Sequence, residues 1–313
     1  MTMPTAPDKN CLDDLSQSDF HRDLHKPFTI GLKPLAGKNF LQIDGDFFPY
    51  RDKKLDLYSR IHDEVCMAEA ATHDAQREVE DLVVNSLKSG YPQLYDFTGT
   101  RATCKQTGLE IRFNQQMPLS SAALLIPDDL ILMKRDESGW RLVAGSLAFP
   151  AYWSLAEKLS KPLEAVHGPV PLPEQMSLRI NRIFDGIQVD NPVWRTNWSL
   201  DQGPELRQSR RENDRPKTGK KISSNVHFRT EFQTLHKLPK TNNILFSIRT
   251  KTTPVKSLAN DALGRSKLAT LHRQYLGMSE AERDYKGINH NAEGLLNWLE
   301  QQGRQDDDTS NAE

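Results

Sequence analysis

One histidine in a rigid turn has the type and setting best suited to chemistry. His167 is followed by Gly168, Pro169, Val170 and Pro171, and the two prolines restrict the local backbone. A held, neutral imidazole suits the axial position of a haem iron or another metal. Most isolated histidines are surface or core residues instead, and no HxH or HExxH motif supports a zinc or non-haem iron site. Spacing alone leaves both interpretations open.

A second group of polar residues follows the alternation of two predicted strands, 225–235 and 244–251. Side chains alternate between the two faces of a strand. If the strands pair as a hairpin, one face carries a polar patch of Arg229, Glu231, Gln233, Ser247 and Arg249. Such a row is typical of a solvated sheet face. It also suits a ligand cavity in which arginines bind carboxylates such as haem propionates and Glu231 pairs with a cationic amine.

Three of the five tryptophans, Trp153, Trp194 and Trp198, lie near these residues in the sequence. Large aromatic side chains at such positions belong more often to a hydrophobic core than to a cofactor pocket. Both interpretations are kept.

Periodicity predicts the elements that position these residues. Helices are predicted over 54–88 with a break near 72–74, over 152–161, over 175–187, and in three stretches beyond Pro254 (258–263, 268–276 and 292–302). Strands are predicted over 28–32, 40–44 and 193–200, with a hairpin formed by 130–133 and 140–149. Residues 93–117 are predicted as loop and short pieces, and His236 as an exposed residue of the last hairpin loop.

Composition excludes several classes of function. The net charge is −1 over 313 residues, so nucleic acid and anionic membranes are not expected as partners. The three cysteines are far apart and form no CxxC pair, which favours a reducing compartment. No signal peptide or long apolar run is apparent, so a cytoplasmic location is expected. GxGxxG, P-loop and nucleophile-elbow motifs are absent, which predicts no NAD, FAD or ATP site in this chain.

Six short motifs occur in order along about a hundred residues of the chain. They are Phe149-Pro150 with Trp153, then Glu157-Lys158, then 167–171, then 195–199, then 229–235 with Leu238-Pro239, and finally 246–250. This ordered series resembles the haem-dependent oxidative N-demethylase family, alpha-subunit type. Each motif alone is weak, but the order makes the resemblance specific.

The resemblance implies an α+β fold, namely a PAS-like antiparallel β-sheet with flanking helices that holds haem b. It implies a monooxygenase that oxidises a small methylated amine with O2 and releases formaldehyde. Electrons would come from a separate reductase partner subunit that uses flavin and NADPH, in agreement with the missing nucleotide motifs.

The resemblance also implies roles for individual residues. His167 is the expected proximal ligand of the haem iron. Glu231 and Gln233 are the expected catalytic residues of the pocket wall. Residues expected to contact the cofactor are Arg195, Asn197, Trp198, Arg229 and Arg249.

The domain organisation follows from composition and the resemblance together. We expect a disordered arm over 1–27, a catalytic domain over 28–276 with a polar loop insertion at 201–224, C-terminal helices over 277–303, and a disordered acidic tail over 304–313. Two non-enzymatic alternatives remain: a PAS-like haem sensor, and a PAS-like interaction domain without haem. A polar pocket favours the enzyme, whereas an apolar pocket or a doubly ligated haem favours the sensor.

Overall fold

The structure, a computed structural model, describes residues 28–36, 39–166, 174–208, 226–286 and 297–298. Several predictions lie outside these residues. They concern His167 and its turn, the arm 1–27, residues 209–224 of the polar loop, most of the helix 292–302, and the acidic tail.

The described residues form short and long strands alternating with helices. The strands are β1 Lys33–Pro34, β2 Cys66–Ala68, β3 Tyr95–Thr98, β4 Arg101–Cys104, β5 Glu110–Arg112, β6 Asp129–Asp136, β7 Gly139–Ser146, β8 Val193–Gln202, β9 Val226–Lys237 and β10 Ile244–Pro254. The helices are α1 Phe47–Val65, α2 His73–Gly90, α3 Pro118–Leu124, α4 Leu155–Lys158, α5 Leu163–Val166, α6 Glu174–Gly186, α7 Ala262–Leu276 and α8 Glu280–Tyr285.

A seven-stranded sheet with the order β1-β8-β9-β10-β6-β7-β2 is the centre of the fold. Its strand pairs are antiparallel, and β3, β4 and β5 form a second, smaller sheet. The predicted α+β class is therefore confirmed. The predicted hairpin of 130–133 and 140–149 is observed as β6 and β7, although its second strand ends at Ser146 instead of residue 149. Gly139 ends its turn with a φ of 116°, a conformation that glycine adopts at little cost.

The two faces of the large sheet bury different sets of side chains. One face, which includes Trp194 and Phe232, packs on α2, α3 and the small sheet. The opposite face, which includes Leu235 and Ile248, packs on α4, α5 and α6. We call the second one the cavity face, because it forms one wall of the cavity described below. Alternate apolar side chains of β8 to β10 therefore pack into two separate hydrophobic clusters, one on each face of the sheet.

Several predicted elements differ in extent from the observed ones. The segments 28–32 and 40–44 are not strands. Around Leu41 the backbone bonds to side chains instead of a neighbouring strand, since its N–H donates to Asn39 Oδ1 and its carbonyl accepts from the Tyr91 hydroxyl. The predicted helix 152–161 is reduced to α4, because the next turn places Ser160 at a φ of 63°.

The C-terminal helices return the chain to the outer edge of β8. Asp261 caps α7 by accepting from Gly264 N at 2.8 Å, and Ser279 with Glu282 forms a capping box at α8. Apolar residues of α7 pack against Trp198 and Phe228. Beyond α8, the carbonyl of Lys286 accepts from Leu200 N at 2.9 Å, which covers part of this sheet edge.

His236 is not exposed, in contrast to the prediction. It belongs to β9 rather than to the loop, its residue is 8% exposed, and its ring lies 4.6 Å from that of Phe40. Its Nε2 is 3.2 Å from the Thr234 hydroxyl oxygen. Burial lowers the pKa of His236 from 6.5 to about 4, because the charged imidazolium is poorly solvated there.

This buried histidine makes stability depend on pH. Since its pKa is lower in the folded than in the unfolded protein, its contribution is full above pH 6.5 and is lost as the pH falls towards 4. We expect His236→Gln to remove an acid-induced loss of about 3 kcal/mol in the free energy of unfolding. Urea denaturation at pH 7 and pH 4 measures this, with His62→Gln as the control at a half-exposed histidine. Equal pH dependence in wild type and His236→Gln would contradict the assignment.

Candidate functional site

A cavity of about 280 Å³ lies between the cavity face of the sheet and helices α5 and α6. This volume is close to the lower end of the range of small-molecule sites, about 300 Å³. Its lining is mainly apolar and includes Ile131, Met133, Leu142, Leu147, Phe149, Trp153, Leu163, Ile180, Ile183, Phe184, Leu235, Phe246 and Ile248. A mostly apolar enclosure with a few polar groups is typical of a cofactor or substrate site.

Four polar groups of the cavity come from adjacent positions of β8 and β9. Arg195 pairs with Gln233 and Asn197 pairs with Glu231 in the strand register, so the four side chains emerge side by side. The Glu231 carboxylate is their centre. Its Oε2 accepts from Gln233 Nε2 at 2.8 Å and from Asn197 Nδ2 at 3.2 Å. The structure therefore brings together four of the predicted site residues.

Arg195 lines the cavity and, within the described part of the chain, keeps one unsatisfied hydrogen-bond donor. Its Nη1 donates to the carbonyls of Thr29 and Ile30 at 3.2 and 3.3 Å. Its Nε is buried and has no hydrogen-bond partner among the residues that the structure describes. Burial lowers the pKa of Arg195, and the negative charge of Glu231 opposes that shift. An anionic ligand in the cavity would supply the hydrogen-bond acceptor that this guanidinium N–H lacks.

Arg229 supports the cavity wall from behind. Its guanidinium is buried and donates to the carbonyls of Phe149 and Leu206 at 2.6 and 2.8 Å. Its Nε is also 3.4 Å from Glu231 Oε1. Arg229 does not line the cavity, and it fixes the loop that contains Phe149 and the orientation of Glu231.

Asp129 holds the same loop from the opposite side. Its two carboxylate oxygens accept from the N–H groups of Ala148 and Phe149, each at 2.8 Å. Lys54 Nζ lies 4.0 Å away and donates to the carbonyls of Ala123 and Ile126 at 2.9 and 3.1 Å. Burial lowers the pKa of Lys54 to about 8 and raises the pKa of Asp129.

Three residues predicted for the site face away from it. Trp198 follows Asn197 in β8, so the alternation of a strand sends it to the other face, where its indole Nε1 donates to Gln274 Oε1 at 2.9 Å. Ser247 and Arg249 pair with Thr234 and Phe232, which places them on that face too. The predicted single polar patch is therefore wrong.

Arg249 instead belongs to a buried ionic cluster under α1. Its guanidinium donates to Asp44 Oδ1 at 3.1 Å and to the Gln42 carbonyl at 3.3 Å, and it lies 4.1 Å from the Tyr50 ring. The ion pair with Asp44 and the cation–π contact with Tyr50 offset the cost of burying the charge of Arg249. Arg249 therefore has a structural role away from the cavity.

Three charged lining residues were not predicted for the site from the sequence: Asp129, Lys158 and Lys286. Asp129 gave no signal in the sequence, because it lies at the start of an apolar strand and its two backbone partners are distant in sequence. Lys286 lies beyond the last predicted core element. Its Nζ nevertheless donates to Asn197 Oδ1 at 2.7 Å.

The metal ligand predicted from sequence, His167, lies outside the described residues. Val166, which directly precedes it, ends α5 and lines the cavity. Among the residues described, no group of three or more His, Cys, Asp or Glu side chains is arranged to hold a metal ion. A haem iron needs only one axial protein ligand, so this observation does not bear on haem.

Comparison with known families identifies the chain. Residues 31–296 match the family described as haem-dependent oxidative N-demethylase, alpha subunit-like. The chain belongs to this family. The resemblance recognised in the six motifs is thereby confirmed, and the family description indicates haem dependence and an oxidative enzyme of the N-demethylase type. Within the described residues, no helix has both the length and the apolar character needed to cross a membrane.

The geometry of the cavity wall yields a stability prediction. Asp129→Ala leaves two buried N–H groups without their acceptor and removes the carboxylate nearest to Lys54. We expect a loss of about 3 to 5 kcal/mol in the free energy of unfolding. Asp129→Asn keeps one acceptor oxygen and should lose less. Urea denaturation measures both, with the exposed Asp63→Ala as control. A loss no larger than in the control would contradict the role of Asp129.

Proposed function

We propose that this chain is the haem-binding subunit of an oxidative N-demethylase with a PAS-like fold. Its substrate is a small secondary or tertiary amine, from which a methyl group is removed as formaldehyde. One observation carries the proposal. Arg195, Asn197, Glu231 and Gln233 converge on a mainly apolar cavity that reaches Val166, the neighbour of His167.

The cavity has features that fit haem. Apolar side chains from the sheet and from α6 suit the faces of a macrocycle, and the buried Nε of Arg195 suits a propionate. His167 would be the protein ligand of the iron, since it directly follows a lining residue. The sequence has no CxxCH motif, which supports non-covalently held haem b.

Bound haem supplies the reductive activation of O2 that the reaction requires. Overall, an N-methylamine, O2, two electrons and two protons give the demethylated amine, formaldehyde and water. The nitrogen keeps its lone pair and gains a hydrogen, and the methyl carbon is oxidised. The chain contributes binding and orientation, because polar side chains at fixed positions face a mainly apolar cavity.

Glu231 is the residue proposed to bind the amine. Its carboxylate is held by Gln233 and Asn197, so its orientation is fixed before a ligand arrives. A protonated amine would donate to this carboxylate in a charge-assisted hydrogen bond, and Gln233 would position the carboxylate for it. The charged groups in the cavity support an enzyme rather than a sensor with an apolar pocket.

Electrons are proposed to come from a reductase partner that uses flavin and NADPH. The chain has no GxGxxG or P-loop motif of its own. The family description, alpha subunit-like, supports a partner subunit in the same way.

Haem binding is tested by titrating the purified protein with haemin and recording its absorption spectrum. We expect a Soret band in wild type, and in His167→Ala a changed ligation state with at least tenfold weaker binding, because the axial ligand is lost. His62→Ala, at a half-exposed histidine of α1, is the control and should match wild type. A wild type without a Soret band contradicts the haem proposal, and unchanged ligation in His167→Ala contradicts the ligand assignment.

Amine recognition is tested by Glu231→Gln in the haem-loaded protein. Loss of one charge-assisted hydrogen bond predicts a ten- to hundredfold weaker affinity for dimethylammonium. This affinity is measured from the change in the haem absorption spectrum during a titration. Formaldehyde release with O2 and a reductant gives the second readout. Glu137→Gln, at an exposed glutamate of the β6–β7 turn, is the control. If wild type releases no formaldehyde from a panel of methylamines, the sensor is favoured instead.

A further inference from the structure

Lys286 is a buried lysine that joins the C-terminal segment to the polar groups of the cavity. The residue is 3% exposed, and its Nζ donates to Asn197 Oδ1 and to the Trp198 carbonyl, both at 2.7 Å. A buried ammonium is costly unless hydrogen bonds or charges compensate it. The rings of Phe28 and Trp198 add cation–π contacts, each at 5.3 Å from Nζ to the ring centroid.

The position of this ammonium is fixed by the backbone as well. The carbonyl of Lys286 accepts from Leu200 N at 2.9 Å, so the residue lies along the outer edge of β8. From that edge its side chain contacts Asn197, which faces the cavity. The helix α8 before it begins with a complete capping box, which gives this segment a defined start.

The contact with Lys286 determines the orientation of the Asn197 carboxamide. An ammonium only donates hydrogen bonds, so it selects the carbonyl oxygen of the amide. The amide nitrogen must then point the other way, where Nδ2 donates to Glu231 Oε2 at 3.2 Å. A carboxylate only accepts, so both neighbours of Asn197 require the same orientation.

The next link is the orientation of Glu231. Its Oε2 accepts from both Asn197 and Gln233, while Arg229 Nε lies 3.4 Å from Oε1. If the Asn197 amide turned over, its oxygen would face the carboxylate and repel it. The direction of the Glu231 carboxylate in the cavity thus depends on Lys286 through the Asn197 amide.

We propose that Lys286 is a positioning residue of the amine site: through Asn197 it fixes the Glu231 carboxylate in the orientation that receives the substrate ammonium. The relay from Lys286 to Glu231 stands on the hydrogen bonds alone, whereas its effect on an amine rests on the proposed function. The C-terminal segment beyond α7 therefore completes the site instead of only covering the sheet edge.

The relay is tested first without haem or amine, by urea denaturation of a double-mutant cycle. Lys286→Met, Glu231→Gln and their combination are compared in the wild-type background and again with Asn197→Ala. We expect the two substitutions to be non-additive by at least fivefold in the unfolding equilibrium constant, and additive within twofold when Asn197 is absent. If Lys286→Met does not fold, Lys286→Gln replaces it, since an amide keeps a donor but no longer selects the Asn197 oxygen.

Two outcomes of the cycle would overturn the relay. Additivity in the wild-type background would mean that Lys286 and Glu231 are independent. Non-additivity that persists with Asn197→Ala would indicate direct attraction between the two charges without a role for the amide.

The functional arm uses the haemin-loaded protein and dimethylammonium chloride as the probe. We expect Lys286→Met to bind haemin within twofold of wild type and dimethylammonium at least tenfold more weakly. Lys256→Met, at an exposed lysine, is the control and should leave both affinities unchanged. If Lys286→Met loses only stability and binds the probe as wild type does, Lys286 merely docks the C-terminal segment and the proposal is wrong. A wild type that binds no haemin or amine contradicts the proposed function. The double-mutant cycle without ligands then still tests whether Lys286 acts on Glu231 through Asn197.

Discussion

The register of β8, β9 and β10 is the constraint on which the rest of this structure depends. Because side chains alternate along a strand, Glu231 and Gln233 reach the cavity while Phe232 between them packs into the opposite core. A shift of one residue would exchange the two sets and place a phenylalanine where a carboxylate is needed. The apolar core on one face, anchored by Trp194 against Phe232, therefore specifies the polar site on the other.

Buried charge is the second determinant, and it is arranged in pairs around the cavity wall. The loop at Phe149 has its N–H group held by Asp129 and its carbonyl held by Arg229. Both charges are bonded to backbone groups, and each would be costly if its partners were removed. Charged residues that look catalytic by type are here structural, and this separates Arg229 from Arg195, whose Nε has no partner among the described residues.

How far the sequence predicts this protein depends on the range of the interactions involved. The hairpin of β6 and β7, the long strands β9 and β10 and the helices α1, α2 and α6 follow from local periodicity, and they are observed. The family follows from six ordered motifs and is confirmed. The placement of Arg249 could not be predicted, because a one-dimensional alternation does not state which face of β10 aligns with which face of β9 until the register is known.

Long-range contacts explain the remaining differences. Asp129 binds backbone groups of residues 148 and 149, and Lys286 reaches Asn197 across the sheet edge, so no local pattern indicates either role. The segments 28–32 and 40–44 have strand-like composition but lack a neighbouring strand to pair with. His236 packs against Phe40, a residue far earlier in the sequence.

The spacing of charge in the cavity constrains what it binds. Arg195 pairs with Gln233, and Glu231 lies two residues before Gln233 in β9, which separates the two positions by about 7 Å along the strand. The cavity thus presents the cationic Arg195 and the anionic Glu231 close together in a mainly apolar lining. Arg229 already compensates part of the Glu231 charge, and Glu231 in turn attracts Arg195, so a ligand adds charge-assisted hydrogen bonds to groups that are already paired in part. A ligand with carboxylates and a second one with an ammonium satisfy both, which is the combination that an acidic cofactor and an amine substrate provide.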